Sequence, residues 1–138
     1  AVIFIQHTEA GGLEEGSEGF ALLPDLNQPA GAFYVTKTAC DAFYNTSLEA
    51  LLREQEIDEF IICGCATDYC VDATFKNGVS RGYHITVAED AHTTANRPAA
   101  DAQVLIAHYN DVWRNFIAPA NPPSVKRTET ILENWKAN

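Results

Sequence analysis

Two residues in this chain of 138 have the chemistry of a nucleophilic site, and they are Cys70 and Lys37. Cys70 is expected just past a short apolar run, in or beside the first turn of the following helix. A helix N-terminus carries partial positive charge and free N–H groups, which favour the thiolate form of a cysteine. Lys37 ends an earlier strand-like run, and its ammonium would add to this effect. The alternatives are that Cys70 is a small buried hydrophobe and that Lys37 is a solvated surface residue.

The other three cysteines are weaker candidates. Cys63 falls inside a strand-like run and is expected in the core, Cys40 is expected to be structural, and Cys65 fits either role. The C-x-C-x4-C spacing at 63–70 suggests a metal or cluster, but no second Cys/His pair stands at ligand spacing. No H-x-H or H-x3-H pair occurs among the histidines, which are His7, His84, His92 and His108. We therefore expect no metal and no cofactor.

The composition indicates a single globular domain over residues 1–138. Apolar residues make up 46% of the chain, which excludes a disordered polymer, and the net charge of −10 disfavours a nucleic-acid partner. No apolar run approaches the ~20 residues needed to cross a bilayer, so no membrane partner is expected. Clustered cysteines without an export signal indicate a cytoplasmic location. Methionine is absent and the chain opens inside a strand-like run, so we expect the N-terminus to be incomplete.

Strand-like runs alternate with amphipathic helical segments along the chain. Strands are predicted at residues 2–6, 33–37, 60–63, 84–88 and 124–126, and helices from 48, over 69–81, from about 98 to 116, and from 128. A helical turn is predicted at 20–23, a Thr46–Glu49 capping box before the helix that starts at 48, and chain breaks at Pro119, Pro122 and Pro123. This alternation predicts an α/β fold with a parallel sheet and helices on both faces. Ligands bind at the carboxyl ends of such strands, where we expect Lys37, Cys70, His7 and His92.

The run GCATDYCV at 64–71 resembles the signature of the isochorismatase-like cysteine hydrolases. This superfamily includes nicotinamidases, N-carbamoylsarcosine amidases and related amidohydrolases. Four further segments resemble parts of the family pattern: residues 2–7, 16–20, Lys37 with 42–48, and 82–94. The resemblance implies a three-layer, Rossmann-like sheet with an Asp-Lys-Cys triad. A nucleotide-binding Rossmann domain is itself disfavoured, because no G-x-G-x-x-G follows a strand.

The resemblance also implies roles for individual residues. Cys70 would be the nucleophile and Lys37 the lysine of the triad. A cis peptide bond would join Cys65 to Ala66, and the backbone N–H groups of Ala66 and Cys70 would form the oxyanion hole. The expected substrate pocket is lined by His7, Phe43, Tyr69 and His92.

Two features depart from the family pattern. The triad aspartate of the family lies on its first, central strand, upstream of residue 1, so the resemblance implies a sheet that lacks this strand. Asp68, Asp90 and His92 are conceivable substitutes, with none favoured. After His7 the sequence continues Thr-Glu-Ala, without the Asp-x-His metal cluster of nicotinamidases, which disfavours a nicotinamidase and a bound metal.

The resemblance implies hydrolysis of an amide-type C–N bond in a small molecule through a cysteine thioester. A nucleophilic Cys70 favours this reaction over the vinyl-ether cleavage of true isochorismatases. The expected partners are the small-molecule substrate and further copies of the chain, as a homo-oligomer (a dimer or higher). The alternative is a catalytically inactive or truncated domain that serves as a binding or oligomerisation module.

Overall fold

The computed structural model describes residues 1–118 and 120–137. The described strands are β1 (Ile3–His7), β2 (Phe33–Lys37), β3 (Glu59–Cys65), β4 (His84–Thr93) and β5 (Ser124–Lys126). The described helices are α1 (Leu48–Glu54), α2 (Asp72–Ser80), α3 (Ala102–Arg114) and α4 (Thr128–Lys136), with a π-helical turn at Thr67–Val71 before α2. Among the described helices, none combines the length and the apolar character needed to cross a membrane.

All the strand pairs in the described residues are parallel. β1 pairs with β2, and this register places His7 opposite Lys37. β4 lies between β3 and β5, and the β3–β4 ladder shifts register between Ile62 and Gly64. Parallel strands joined through helices confirm the predicted α/β class.

Two apolar clusters hold the helices against the strands. The larger one lies between α2, α3 and β4, and its buried members are Val71, Phe75, Val79, Ile85, Val87 and Trp113. The smaller one lies beneath α1, and its buried members are Val35, Ala42, Phe43, Leu48 and Leu52. Phe60 and Tyr83 pack against both clusters and so join them.

An open cleft separates the two groups of strands. Within residues 1–118 and 120–137, β1 pairs only with β2, and β3 pairs only with β4, so each keeps one free edge. The cleft has a volume of about 700 Å³, and its apolar lining includes Ile3, Ile5, Leu52, Ile61, Ile131 and Trp135. That a further strand of the protein occupies this cleft stays a prediction.

The predicted capping box is wrong. α1 has Ser47 as its N-cap, without a side-chain cap hydrogen bond. The Glu49 carboxylate accepts from Arg53, at 2.7 Å, and from Arg81 on the neighbouring helix end, so it does not reach back to residue 46. The Thr46 hydroxyl donates to the Ala42 carbonyl and accepts from the Leu48 N–H at 3.2 Å, so only the Glu49 half of the predicted box is missing. Two ion pairs with arginines take the carboxylate that the capping motif needs.

Three other local expectations also differ from the structure. Residues 20–23 form no helix: Phe20 lies in a turn, Ala21 in a bend, and the next two residues are irregular. The helix predicted from residue 69 becomes α-helical only at Asp72, because Thr67–Val71 form the π-helical turn. Cys63, expected in the core, is exposed because β3 is an edge strand that borders the cleft. Pro119 lies outside the described residues.

Replacing Trp113 with alanine should lower the free energy of unfolding by about 3–5 kcal/mol. The indole is fully buried, and its Nε1–H donates to Asp72 Oδ1 at 2.9 Å, so the substitution leaves a cavity and removes a hydrogen bond. Urea unfolding followed by circular dichroism measures the loss. Trp135→Ala is the matched control, because Trp135 is 63% exposed. Equal losses from the two variants would contradict this account of the core.

Candidate active site

Lys37 is the buried centre of the candidate site. It is the last residue of β2, and only 5% of it is exposed. Its Nζ donates to the Ala39 carbonyl at 2.9 Å, lies 3.1 Å from His7 Nδ1, and donates to Cys70 Sγ at 3.2 Å. An ammonium has three N–H donors, and these three acceptors use all of them. The structure therefore brings together the two residues that the sequence singles out for chemistry.

Cys70 lies in the π-helical turn that follows β3, at the carboxyl edge of the sheet. Gly64 has a φ of 116°, a left-handed conformation that glycine adopts without a steric penalty. The Cys65–Ala66 peptide bond is cis, as the resemblance implies. The Ala66 carbonyl then accepts from the N–H groups of both Tyr69 and Val71, at 3.1 Å each. This local chain path turns the Cys70 thiol towards the end of β2.

An ion pair between Asp68 and Arg97 fixes the turn that carries Cys70. The Asp68 carboxylate accepts from Arg97 Nε at 2.9 Å and from the Thr94 hydroxyl at 2.6 Å. The Arg97 guanidinium lies 4.7 Å from the centre of the Tyr69 ring, a cation–π distance. The hydrogen bonds from Arg97, and then from Thr94, hold the pKa of Asp68 below its ordinary value. Residues after β4 are thus fastened to the turn that carries Cys70.

A buried chain of polar groups supports the turn from behind. Thr67 Oγ1 lies 2.8 Å from His92 Nδ1, and His92 Nε2 lies 2.9 Å from Asn110 Oδ1. The Asn110 amide NH₂ donates to the Glu89 carbonyl, so its oxygen faces His92 and takes the Nε2 hydrogen. His92 therefore has both of its ring nitrogens occupied by protein groups. Its placement argues for a structural role and against the predicted pocket role.

The Phe43 side chain is buried. It belongs to the core cluster beneath α1, where its ring stacks on Tyr83 at 5.8 Å between centroids. Tyr69, in contrast, is 52% exposed and directly precedes Cys70. Of the four predicted pocket residues, Tyr69 and His7 are the two that lie next to Cys70 and Lys37, respectively. The assignment of the Ala66 and Cys70 N–H groups to an oxyanion hole stays a prediction.

His7 and Glu9 extend the Lys37–Cys70 pair by two residues. His7 ends β1, and its Nε2 lies 3.1 Å from Glu9 Oε2. Because Nδ1 faces the Lys37 ammonium, it is the ring nitrogen with the lone pair, and Nε2 carries the hydrogen that Glu9 accepts. Sequence reasoning found His7 but missed Glu9. The only signal is the short spacing of His7 and Glu9 at the end of a strand.

The conceivable substitutes for the triad aspartate are already engaged. Asp68 is held by Arg97 and Thr94, as described above. Asp90 accepts from the Thr128 N–H at 2.8 Å and from its hydroxyl at 2.7 Å, at the start of α4. Neither carboxylate is free to serve Lys37 or Cys70.

Cys40, predicted to be structural, lies beside Cys70. Burial raises the pKa of its thiol, with a further rise from the neighbouring Cys70 side chain and an opposing effect of Lys37. Burial likewise raises the pKa of Cys63, although that residue keeps accessible surface. In the described part of the chain, no group of three or more His, Cys, Asp and Glu side chains is arranged to hold a metal ion.

Comparison with known proteins decides the family. Residues 1–118 match the isochorismatase domain family. The chain belongs to the isochorismatase family. This result confirms the resemblance carried by the run at 64–71.

Individual relatives agree with this family assignment. An isochorismatase family protein of Bacillus subtilis, YddQ, is 29% identical over 138 residues, which cover 96% of this chain and 75% of that protein. The ureidoacrylate amidohydrolase RutB of Yersinia enterocolitica is 35% identical over 79 residues, covering 57% of this chain but only 34% of the relative. The solved structure of a cysteine hydrolase from Pseudomonas syringae, 20% identical, superposes with a TM-score of 0.86 and covers 99% of this chain and 72% of the other. The isochorismatase family member therefore shares its fold with that hydrolase, while it spans about a third of the amidohydrolase.

The Asp68–Arg97 pair makes the stability of the protein depend on pH. The lowered pKa of Asp68 means that the folded state favours the carboxylate, so the pair stabilises above the unfolded pKa of about 3.9 and loses its effect as pH falls through the folded value. Asp68→Asn should therefore lower the melting temperature at neutral pH, and the difference from the wild type should shrink below about pH 4. Thermal melts over this pH range measure it. Asp25→Asn, in an exposed loop, is the control, and a difference that grew on acidification would contradict the assignment.

Cys70 should be the most reactive thiol, although it is the least exposed. Cys40, Cys63 and Cys65 are exposed, whereas Cys70 is half-buried, so access alone predicts the opposite order. The ammonium of Lys37 favours the reactive thiolate of Cys70, while raised pKa values reduce the thiolate at Cys40 and Cys63. Iodoacetamide labelling followed by peptide mass spectrometry measures the four rates. Lys37→Met should slow Cys70 most and should leave Cys63 unchanged, and equal labelling of all four cysteines would overturn the assignment of Cys70 as nucleophile.

Proposed function

We propose that this isochorismatase family member hydrolyses an amide-type C–N bond of a small molecule, with Cys70 as the nucleophile. The observation that carries the proposal is the 3.2 Å contact between Lys37 Nζ and Cys70 Sγ. A buried ammonium against a sulfur favours the thiolate, which is the nucleophilic form of cysteine. The ureidoacrylate amidohydrolase among the relatives supports amide-type substrates.

The proposed reaction has two halves. In the first, the Cys70 thiolate attacks the carbonyl carbon, and the resulting oxyanion accepts hydrogen bonds from backbone N–H groups, assigned to Ala66 and Cys70. The C–N bond breaks as the leaving nitrogen takes a proton, so ammonia or an amine departs and a thioester remains. In the second, water attacks the thioester carbon, loses a proton and releases the carboxylic acid and the thiolate. Lys37 holds the thiolate and stabilises the negative charge that develops.

The proton shuttle is proposed to come from beyond the 138 residues. The family resemblance implies an aspartate at the carboxyl end of a central strand. A strand inserted into the cleft between β1 and β3, parallel to both, would end beside Lys37 and Cys70, because all these strands end at the same edge. Asp68 and Asp90 already have partners, which supports an outside source for this group.

A second candidate function is a partner-binding or oligomerisation module without activity. The apolar cleft and the two free strand edges favour it, since unpaired edges and apolar grooves accept an added strand. The cytoplasmic location and homo-oligomeric state expected from the sequence stay predictions under either function.

Cys70→Ala should abolish hydrolysis by the intact gene product, and Lys37→Ala should reduce it by a factor on the order of a hundred or more. The assay is release of ammonia from a panel of small amides that includes ureidoacrylate, with intact-mass detection of the acyl group on Cys70. Cys63→Ala, which changes an exposed cysteine of β3, is the control and should keep the wild-type rate. An undiminished rate in Cys70→Ala would overturn the mechanism, and inactivity of the wild type on the whole panel would favour the binding module.

A further inference from the structure

Three groups of the described chain accept hydrogen bonds from the Lys37 ammonium. They are the Ala39 carbonyl oxygen, the His7 imidazole nitrogen and the Cys70 sulfur. A buried ammonium is costly without compensation, because removal from water disfavours the charged form. The thiolate of Cys70 is one source of compensation. The imidazole leads to a second.

The His7 ring lies between the cation and an anion. The β1–β2 register places His7 directly opposite Lys37, so the two side chains are neighbours on one side of the pair of strands. The ring accepts from Lys37 Nζ at Nδ1 and donates to the Glu9 carboxylate at Nε2, at 3.1 Å in both cases. Glu9 thus polarises the ring and makes Nδ1 a stronger acceptor. The order of groups is Glu9, His7, Lys37, Cys70.

We propose that His7, oriented by Glu9, is a positioning residue for the Lys37–Cys70 pair. Nδ1 takes one ammonium hydrogen and the Ala39 carbonyl takes another, so the third is directed at Cys70 Sγ. The exposed Glu9 carboxylate acts on the ammonium only through the ring that it orients. His7 does not touch the reacting sulfur, and its effect passes through Lys37. This assignment rests on the proposed function only for its role in hydrolysis, since thiol reactivity can be measured without a substrate.

A pair of substitutions at His7 separates positioning from simple packing. His7→Leu keeps an apolar side chain of similar size but removes the acceptor for Lys37. His7→Asn provides a side-chain oxygen near the place of Nδ1 and so restores an acceptor, while it removes the link to Glu9. Glu9→Gln removes only the charge. Glu15→Gln, in the same exposed loop, is the matched control for that change.

The first measurement is the rate of Cys70 alkylation by iodoacetamide in the intact protein at fixed neutral pH. His7→Leu should slow it by a factor on the order of ten, which corresponds to the loss of one hydrogen bond to a charged group. His7→Asn should recover most of the wild-type rate, Glu9→Gln should fall between, and Glu15→Gln should match the wild type. An unchanged rate in His7→Leu, or equal slowing in His7→Leu and His7→Asn, would overturn the proposal.

The second measurement reads the His7 ring in the wild type. Nitrogen-15 NMR of the imidazole should show hydrogen on Nε2 and a lone pair on Nδ1, and Glu9→Gln should shift the Nε2 resonance. Hydrogen on Nδ1 would overturn the proposal, because that nitrogen could not then accept from Lys37. Hydrolysis tests a different point. If no amide is cleaved while alkylation responds as expected, the proposed function fails and the positioning role stands; if amides are cleaved while His7→Leu changes neither rate, only the positioning role fails.

Discussion

The burial of one ammonium group organises this molecule. Only 5% of Lys37 is exposed. Three different segments of the chain supply the acceptors of its ammonium group: the end of β1, the segment after β2 and the turn after β3. The first two belong to one group of strands and the third to the other. No backbone ladder joins these groups in the described residues. The contacts that arrange the candidate chemistry therefore also help to hold the two halves of the fold together.

Side-chain hydrogen bonds to distant parts of the chain fix the turn that carries Cys70. Asp68 is tied to Arg97 beyond β4, and Thr67 is tied through His92 to Asn110 on α3. At the start of α2, Asp72 accepts from the buried Trp113 indole. The described side chains leave no buried polar atom without a hydrogen-bond partner. Such a network fixes the position of the Cys70 thiol against the Lys37 ammonium.

The fold and the central pair were predictable from the sequence because they depend on general rules. Alternating strand and helix patterns predict a parallel sheet, and the carboxyl ends of its strands share one edge, which brings Lys37 and Cys70 together. The missed features depend on contacts that no local pattern encodes. Glu49 pairs with Arg81, which lies 32 residues away, and so cannot complete a capping box. His92 has the sequence position of a pocket residue, yet its ring is taken up by Thr67 and Asn110. Cys40 is predicted to be structural, yet the segment after β2 returns to the turn after β3 and places Cys40 beside Cys70.

The strands that border the cleft also carry the candidate site at their carboxyl ends. β1 and β3 run parallel to their partners, and each ends at the edge where His7, Lys37 and Cys70 meet. Free strand edges beside an apolar cleft accept an added strand, and here one strand could pair with both edges. A strand that entered parallel would end within reach of Lys37, and one that entered antiparallel would place its amino end there. Only the first arrangement places a final side chain at the carboxyl edge of the sheet. The proposed strand would thus pair with both edges and bring its last side chain to the edge where Lys37 lies.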